Sequence, residues 1–284
     1  MENVSREELN NMTEPIVLYE VDGNVSIVTM NRPDKLNALN PDLKQALFDT
    51  LHRADQDPDT RVVLLRAAGR SFCVGYDIGN PKDPEKEKTR YDALRWHESL
   101  RASITFELKP WDMKKPVVAQ VQGHALGGGC ELAMLCDVTV AGESALFGEP
   151  EIRFSNAGPA IVMPWFIGLK KARELLYLGD MIDAKSALDL GMINKIVPDA
   201  ELGAAALKFA KRMSLISADA LYNTKLSINR GAEAMGFRNA VNVGVDVVSM
   251  LYAARTPEGD QFKEITGEKG LGAALKWRGD QFKA

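Results

Sequence analysis

The stretch His124-Ala-Leu-Gly-Gly-Gly-Cys-Glu131 joins two different sequence patterns. The apolar run at 117–121 predicts a buried strand before it, and the apolar run at 130–135 predicts a buried helix after it. Three consecutive glycines let the backbone approach a ligand closely and leave the first N–H groups of the helix available to a negatively charged oxygen. The same glycines also suit a tight packing turn, and the G-x-G-x-x-G spacing of a dinucleotide site is absent.

Acidic residues occur at two places: one at the end of the quoted stretch and one farther along the chain. Glu131 stands in an otherwise apolar segment, where burial of a carboxylate is costly and raises its pKa. The later segment Phe147-Gly-Glu-Pro-Glu151 supplies further carboxylates. Two carboxylates beside an oxyanion-binding turn suit general acid–base chemistry on water. A solvated acidic loop at Glu149 and Glu151 is the alternative, because spacing alone does not bring Glu131 and Glu151 together.

A third segment, Ser71-Phe-Cys-Val-Gly-Tyr-Asp-Ile78, follows a predicted strand at 62–67. Gly75 allows an unusual turn that could present the Tyr76 N–H outward, although a surface turn explains the same pattern. Cys130 adjoins the glycines, but the nearest histidine, His124, lies on their far side. Covalent catalysis through this thiol is therefore disfavoured.

The patterns on either side predict an α/β layout. Strands are expected at 16–19 and 25–30, then a helix that begins with the capping pair Asn40-Pro41 and runs to about residue 55. A surface loop at 80–90 precedes a helix containing Trp96. A strand at 138–141, helices at 170–178 and from 184, and a strand at 193–197 follow, and helices fill the chain from about 201. Alternation of strand and helix indicates repeated α/β units.

Composition excludes several classes of protein. The chain has 284 residues, 45% hydrophobic and 26% charged, with a formal charge of −4, which argues against a disordered chain or a dedicated nucleic-acid binder. No apolar stretch is long enough to span a membrane, and the polar N-terminus predicts no secretory signal. Three cysteines and three histidines lack metal-ligand spacing. We therefore expect reduced thiols, a cytoplasmic location and no metal.

Four motifs in order resemble the enoyl-CoA hydratase/isomerase (crotonase) superfamily, and most closely its enoyl-CoA hydratases. They are Asn31-Arg-Pro-Asp-Lys-Leu-Asn-Ala-Leu39, Phe72-Cys-Val-Gly-Tyr-Asp-Ile78, Gly123 to Glu131, and Phe147 to Glu151. The resemblance covers residues 14–200 and continues loosely through the helical end. It implies a spiral core of repeated ββα units at 14–200 after a tail at 1–13. A helical region at 201–284 would form a homotrimer, or a homohexamer as a dimer of trimers.

The resemblance also implies an acyl-CoA substrate and a role for each matching residue. The backbone N–H groups of Tyr76 and Gly128 would form the oxyanion hole for the thioester oxygen, and Glu131 and Glu151 would act on the catalytic water. The positions that would bind substrate and coenzyme A are Lys35, Ala38, Leu39, Asp77, Ile78 and Gly127. The basic C-terminal segment could meet phosphates or be an ordinary charged tail. No cofactor is expected, because coenzyme A is part of the substrate.

Departures from the family pattern concern the acyl pocket. Tyr76 stands where hydratases usually carry a small residue, and the segment 155–162 replaces the family's glycine-rich stretch. A short unbranched acyl chain is therefore not expected. Trp165 and Phe166 could contact an aromatic or cyclic acyl group, although core packing explains them better. The alternatives are double-bond isomerisation, hydration of a carnitinyl, aromatic or cyclic acyl-CoA, or acyl-CoA binding without catalysis.

Overall fold

The chain folds around two β-sheets in a computed structural model that describes residues 15–78, 91–158 and 161–283. The predicted tail at 1–13 and the predicted loop at 80–90 lie outside these ranges. The described strands are β1 (Val17–Asp22), β2 (Val25–Met30), β3 (Val62–Ala67), β4 (Val117–Val121), β5 (His124–Leu126), β6 (Val138–Gly142), β7 (Leu146–Gly148), β8 (Ile182–Asp183) and β9 (Lys195–Val197).

The larger sheet has the strand order β1-β2-β3-β4-β6-β9. Only β1 and β2 pair antiparallel, and the other neighbours pair parallel. The smaller sheet has the order β5-β7-β8. The mixed sheets and intervening helices confirm the predicted α/β class.

Helices cover both faces of the larger sheet. The described helices before residue 200 are Pro41–Gln56, Ala93–Glu107, Lys109–Asp112, Gly128–Leu135, Met163–Ile167, Leu169–Leu178 and Ala184–Asp189. Those after it are Leu202–Met213, Ala218–Ala234, Phe237–Ala253, Pro257–Lys269 and Leu271–Asp280. All six residues of β2 are buried, as expected for a strand covered on both faces.

The first long helix shows how local sequence sets these elements. Its N-cap Asn40 accepts a hydrogen bond from the Leu43 N–H at 2.9 Å, and Pro41 occupies the first helical position. Leu43, Leu47 and Leu51 recur at helical spacing and are fully buried. The helix ends at Gln56, one residue beyond the predicted end.

The glycine-rich segment, predicted as a single turn, contains a short strand in the structure. Residues 124–126 form β5, which pairs parallel with β7 in the smaller sheet. Three residues are too few to show the alternation that identifies a strand, so pairing with a distant segment decides this element. The final strand is also shorter than predicted, beginning at Lys195 rather than at 193.

Candidate active site

The glycine turn is held in a conformation that requires glycine. Gly127 has φ 53° and ψ −130°, which side-chain-bearing residues rarely adopt. Its N–H donates to the Gly148 carbonyl at 2.8 Å. A Cβ on Gly128 would lie 2.6 Å from the Tyr76 ring, and one on Gly129 would lie 2.4 Å from the Cys73 carbonyl oxygen. Tight packing therefore accounts for these glycines, and it brings Tyr76 to the start of the helix Gly128–Leu135.

The two predicted oxyanion-hole amides lie in adjacent segments. Tyr76 forms an isolated parallel bridge with Leu39, which donates to the Gly75 carbonyl and accepts from the Asp77 N–H. Gly128 is the first residue of its helix, where an N–H has no intrahelical acceptor. Within the described ranges neither N–H donates to a backbone carbonyl. A Cβ on Gly75 would lie 3.5 Å from the Gly128 nitrogen, so the turns are in contact.

A buried asparagine holds the 31–39 segment beside these amides. The Asn37 side chain accepts from the Arg32 N–H at 2.8 Å. It also donates to the carbonyl groups of Ala68 and Ser71, each at 2.9 Å. These three bonds fix the turn that leads into Leu39, the bridge partner of Tyr76.

The fold brings the two predicted glutamates into one cluster. Helix Gly128–Leu135 places Glu131, and the 3-10 turn Pro150–Phe154 after β7 places Glu151. A Cβ on Gly127 would lie 1.7 Å from Glu151 Oε1. A Cβ on Gly158 would lie 2.4 Å from Glu131 Oε1 and 3.0 Å from Glu149 Oε2. The alternative of a solvated acidic loop is wrong, since Glu149 is only 2% exposed.

Burial changes the protonation of this cluster. The pKa of Glu131 is raised well above its ordinary value, first by burial and then by the nearby Glu107 and Glu149 carboxyls. Burial raises the pKa of Glu151 to about 7. The pKa of Glu149 also rises, because of burial and the neighbouring Glu151 charge. Carboxyl groups this close cannot all ionise, so the site holds protonated and ionised carboxyls together near neutral pH.

Sequence reasoning missed Glu107, which is a fourth buried carboxyl of the cluster. It ends the helix Ala93–Glu107, is fully buried, and accepts a hydrogen bond from the Tyr76 hydroxyl. The signal is present in the sequence, because Leu100, Ile104 and Glu107 follow helical spacing and place a carboxylate on the apolar face.

A cavity of about 490 Å³ opens beside the cluster. Leu39, Tyr76, Asp77, Ile78 and Glu151, all predicted site residues, line it. Further residues that line it come from the helix Ala93–Glu107 and the C-terminal helices, among them Trp96, Ser99, Ser103, Leu251, Tyr252, Phe262 and Lys263.

Other predicted site residues lie outside the cavity lining. Gly127, Gly128 and Glu131 are buried and do not line it, and Glu131 has no exposed surface. Ala38 is also buried, and Lys35 is exposed in the short 3-10 turn Pro33–Lys35. Lys35 and Ala38 precede the lining residue Leu39 in the same segment, and neither lines the cavity.

The divergent segment contributes to the cavity through its first residues. Ser155 and Asn156 line it, whereas residues 159–160 lie outside the described ranges. Trp165 packs edge-on against Phe237, with ring centres 5.4 Å apart, and Phe166 packs against the core. Neither aromatic residue lines the cavity, which agrees with the core-packing interpretation.

Burial also makes the Cys130 thiol unreactive. Cys130 has no exposed surface, and burial raises its pKa well above the ordinary value, with a further contribution from the Glu149 charge. A neutral buried thiol is a poor nucleophile. Within the described ranges we find no metal-ligating cluster of His, Cys, Asp and Glu side chains, and no helix suited to spanning a bilayer.

The basic residues of the C-terminal segment line the cavity or contact other groups of the chain. Lys263 lines the cavity. Lys276 and Lys283 both pair with Asp280, at 3.5 Å and 2.6 Å. Arg278 donates to the Arg153 backbone carbonyl. Of these four basic residues, Lys263 alone lines the cavity.

Comparison with known sequences identifies relatives along nearly the whole chain. A family model described as enoyl-CoA hydratase/isomerase matches residues 20–261. A probable enoyl-CoA hydratase of Mycobacterium tuberculosis is 31% identical over 278 residues, covering 95% of this chain and 99% of its own. A short-chain-enoyl-CoA hydratase of Clostridium acetobutylicum is 34% identical over 230 residues, covering 80% and 84%.

Solved structures show the same fold. An enoyl-CoA hydratase/isomerase from Xanthobacter autotrophicus superposes with a TM-score of 0.89 at 33% identity, covering 96% of this chain and 100% of its own. An enoyl-CoA hydratase from Mycobacterium smegmatis superposes with a TM-score of 0.87 at 26% identity, with 94% coverage of both chains.

Proposed function

This chain belongs to the enoyl-CoA hydratase/isomerase family, and on that premise we propose that it is an enoyl-CoA hydratase. The proposed reaction adds water across the 2,3 double bond of an enoyl-CoA thioester. One observation carries the proposal: the buried Glu131 and the partly buried Glu151 belong to a single carboxyl cluster beside the glycines at the start of the helix Gly128–Leu135. A protein that only binds acyl-CoA has no need of two acids beside such a turn.

In the proposed mechanism, backbone amides stabilise the enolate. The thioester oxygen accepts hydrogen bonds from the Tyr76 and Gly128 N–H groups, which lie in contacting segments and have no backbone acceptor within the described ranges. A donor aimed at a developing oxyanion contributes about 3–4 kcal/mol to transition-state stabilisation. Because both donors belong to the backbone, a side-chain change at Tyr76 alters the pocket and leaves its N–H in place.

The two glutamates hold and polarise the water. The oxygen of water bonds to the β-carbon, its proton passes to a carboxylate, and a glutamate delivers a proton to the α-carbon. A pKa of about 7 for Glu151 lets this group exist in both protonation states near neutral pH. The elevated pKa of Glu131 favours its protonated form. The reaction is redox-neutral, so we propose that no cofactor is required.

The substrate would enter along the residues that line the cavity. Leu39, Asp77 and Ile78 are proposed to meet the coenzyme A portion, with Lys35 and Ala38 flanking them. Gly127 is proposed to meet the thioester end through its backbone, since Glu151 fills the space beside its Cα. Lys263 supplies a positive charge at the cavity for the phosphates of coenzyme A.

A larger acyl group is favoured by the cavity lining. Trp96, Phe154 and Tyr252 contribute aromatic rings, and the Trp96 and Tyr252 ring centres lie 4.9 Å apart. Hydration of an aromatic or cyclic enoyl-CoA is therefore the second candidate. It uses the same amides and glutamates.

The proposal extends to assembly and location. Val243, Val247 and Met250 expose apolar surface on the helix Phe237–Ala253, which suits burial in a homotrimer or a homohexamer. The three free cysteines suit a reducing cytoplasm. The coarse division into a core at 14–200 and a helical oligomerisation region at 201–284 remains a prediction.

Turnover of a panel of enoyl-CoA esters tests the proposal. Crotonyl-CoA and an aromatic enoyl-CoA are supplied, and the products are separated to distinguish hydration from isomerisation. Glu131→Gln and Glu151→Gln are each expected to lower hydration by about 10²- to 10⁴-fold. Glu174→Gln, on an exposed helix surface, is the control and should match the unmodified protein. Binding of the esters without any turnover would contradict the proposal, as would full activity in either active-site variant.

A further inference from the structure

We propose that Glu107 is a positioning residue for the hydration reaction, which shares a proton with Glu131 and anchors the Tyr76 side chain beside the oxyanion turn. This inference rests on the proposed function. Glu107 is not among the residues that line the cavity, so its effect on the substrate would pass through these two neighbours.

The position of the Glu107 carboxyl is the first argument. Its Oε1 accepts a hydrogen bond from the Tyr76 hydroxyl. A Cβ placed on Gly128 would lie 2.9 Å from the same Oε1 and 2.6 Å from the Tyr76 ring. The carboxyl therefore contacts both residues whose backbone N–H groups form the proposed oxyanion hole.

The second argument is a hydrogen bond between the carboxyl groups of Glu107 and Glu131. Two ionised carboxylates have no proton to place between them, so this bond requires that at least one group is protonated. Both residues are fully buried, so the proton lies in surroundings that disfavour two separate charges.

The surrounding charges keep that proton in place. Glu149 and Glu151 face the pair from the segment after β7, and both oppose its ionisation. Lys44, on the helix Pro41–Gln56, and the Tyr76 phenol favour ionised Glu107, and the buried Cys73 thiol lies nearby. Burial is the largest effect and raises the pKa of Glu107 to about 8.

This arrangement has a direct consequence for Glu131. A carboxyl joined to a neighbour by a shared proton has one preferred orientation, whereas a buried carboxyl without that bond does not. Tyr76 in turn fixes the Glu107 carboxyl from the opposite side. The orientation of Glu131 toward the water would therefore depend on a residue that does not touch the substrate.

The pH dependence of kcat tests the proposal in two variants with opposite expectations. Glu107→Gln keeps an acceptor for the Tyr76 hydroxyl but removes a carboxyl whose charge raises the pKa of Glu131. We expect its alkaline limb to move to lower pH and kcat to fall on the order of 10- to 100-fold, with KM largely unchanged. Tyr76→Phe keeps both carboxyls but removes a donor that stabilises the Glu107 carboxylate left when the shared proton departs, so that proton should be lost, and the alkaline limb should lie, at higher pH. Tyr177→Phe, whose side chain is exposed, is the control.

A purely structural role predicts a different result. The pH–kcat profiles of both variants would then keep the wild-type shape once scaled to the same maximum. Profiles that superimpose in this way would overturn the proposal. Shifts of both variants in the same direction would overturn it as well. If Glu107→Gln fails to fold, the pH–kcat profile of Tyr76→Phe alone tests the proposal.

An infrared spectrum of the unliganded protein provides a second measurement that does not depend on activity. The band of protonated carboxylic acid should shift in frequency in Glu107→Gln, because the proton stays on Glu131 but loses its carboxylate partner, and a band unchanged in position contradicts the shared proton. Absence of turnover in the wild type would instead reject the proposed function.

Discussion

The Glu151 carboxyl occupies the space that a side chain on Gly127 would need. A Cβ on Gly127 would lie 1.7 Å from Glu151 Oε1, and the φ of 53° at this glycine disfavours any other residue. Glycine at position 127 therefore has two effects: it permits the backbone conformation of the turn, and it leaves space for the Glu151 carboxyl.

We expect Gly127→Ala to displace Glu151 and to lower crotonyl-CoA hydration on the order of 10²-fold, since a shift of about 1 Å in a catalytic group has an effect of this size. Steady-state kinetics together with circular dichroism would measure it. Gly272→Ala is the matched control, because Gly272 lies in a helix with nothing within 4 Å of its Cβ position. Unimpaired turnover in folded Gly127→Ala would show that the contact is dispensable.

The buried carboxyls predict that stability falls as pH rises. The pKa values of Glu107 and Glu151 rise from an ordinary 4.5 to about 8 and about 7, so the native state retains protons that the unfolded chain has lost. Their contribution to stability is fully present below about pH 4.5 and is lost as pH rises through about 7 to 8. Urea denaturation at several pH values across this range should show a decreasing midpoint.

The Glu107→Gln variant isolates part of this effect. Its amide does not titrate, so the decrease in the urea midpoint across the same pH range should be smaller than in the wild type. An equal decrease in both proteins would mean that Glu107 does not hold its proton in the native state.

Lys225 ties a C-terminal helix to the core through buried polar contacts. Its ammonium donates to the carbonyl groups of Pro110 and Lys115 at 2.6 Å and 3.2 Å, and to Asp137 at 2.7 Å. Lys225→Met should lower the free energy of unfolding by about 1–3 kcal/mol, because it leaves the two carbonyl groups and the partly exposed Asp137 carboxylate without their donor. Chemical denaturation would measure the change.

An exposed ion pair supplies the control for that prediction. Lys185 and Asp189 lie 2.7 Å apart, one helical turn from each other on an exposed surface. Lys185→Met should leave the free energy of unfolding nearly unchanged, because water and salt screen this exposed pair. Equal effects of the two substitutions would mean that burial of the Lys225 contacts adds nothing to stability.

The Cys130 thiol is expected to take no part in the reaction. Cys130→Ala should retain hydration activity within about threefold, well short of the loss expected for a catalytic nucleophile. Iodoacetamide should leave the native protein unlabelled near neutral pH and label all three cysteines once it is unfolded, since each is buried. Inactivation of the native protein by this reagent would restore the covalent alternative.

The predicted elements come largely from short-range patterns. The capping pair Asn40-Pro41, the leucines that follow it, and the apolar runs of β2, β3 and β4 are local signals, and the structure confirms those elements. Motif order likewise identified the family that the comparisons confirm. The assigned roles of Glu131, Glu151, Tyr76 and Gly128 remain predictions, although the fold brings their segments together.

The sequence by itself determined which residues could perform the chemistry, because propensity, capping and motif spacing are properties of neighbouring residues. Only the tertiary structure decided how they meet. Glu107 and Glu149 became part of the carboxyl cluster, and β5 formed, through contacts between segments far apart in the chain. Burial also decided protonation, since the pKa of a carboxyl depends on the solvent and charges that packing leaves around it.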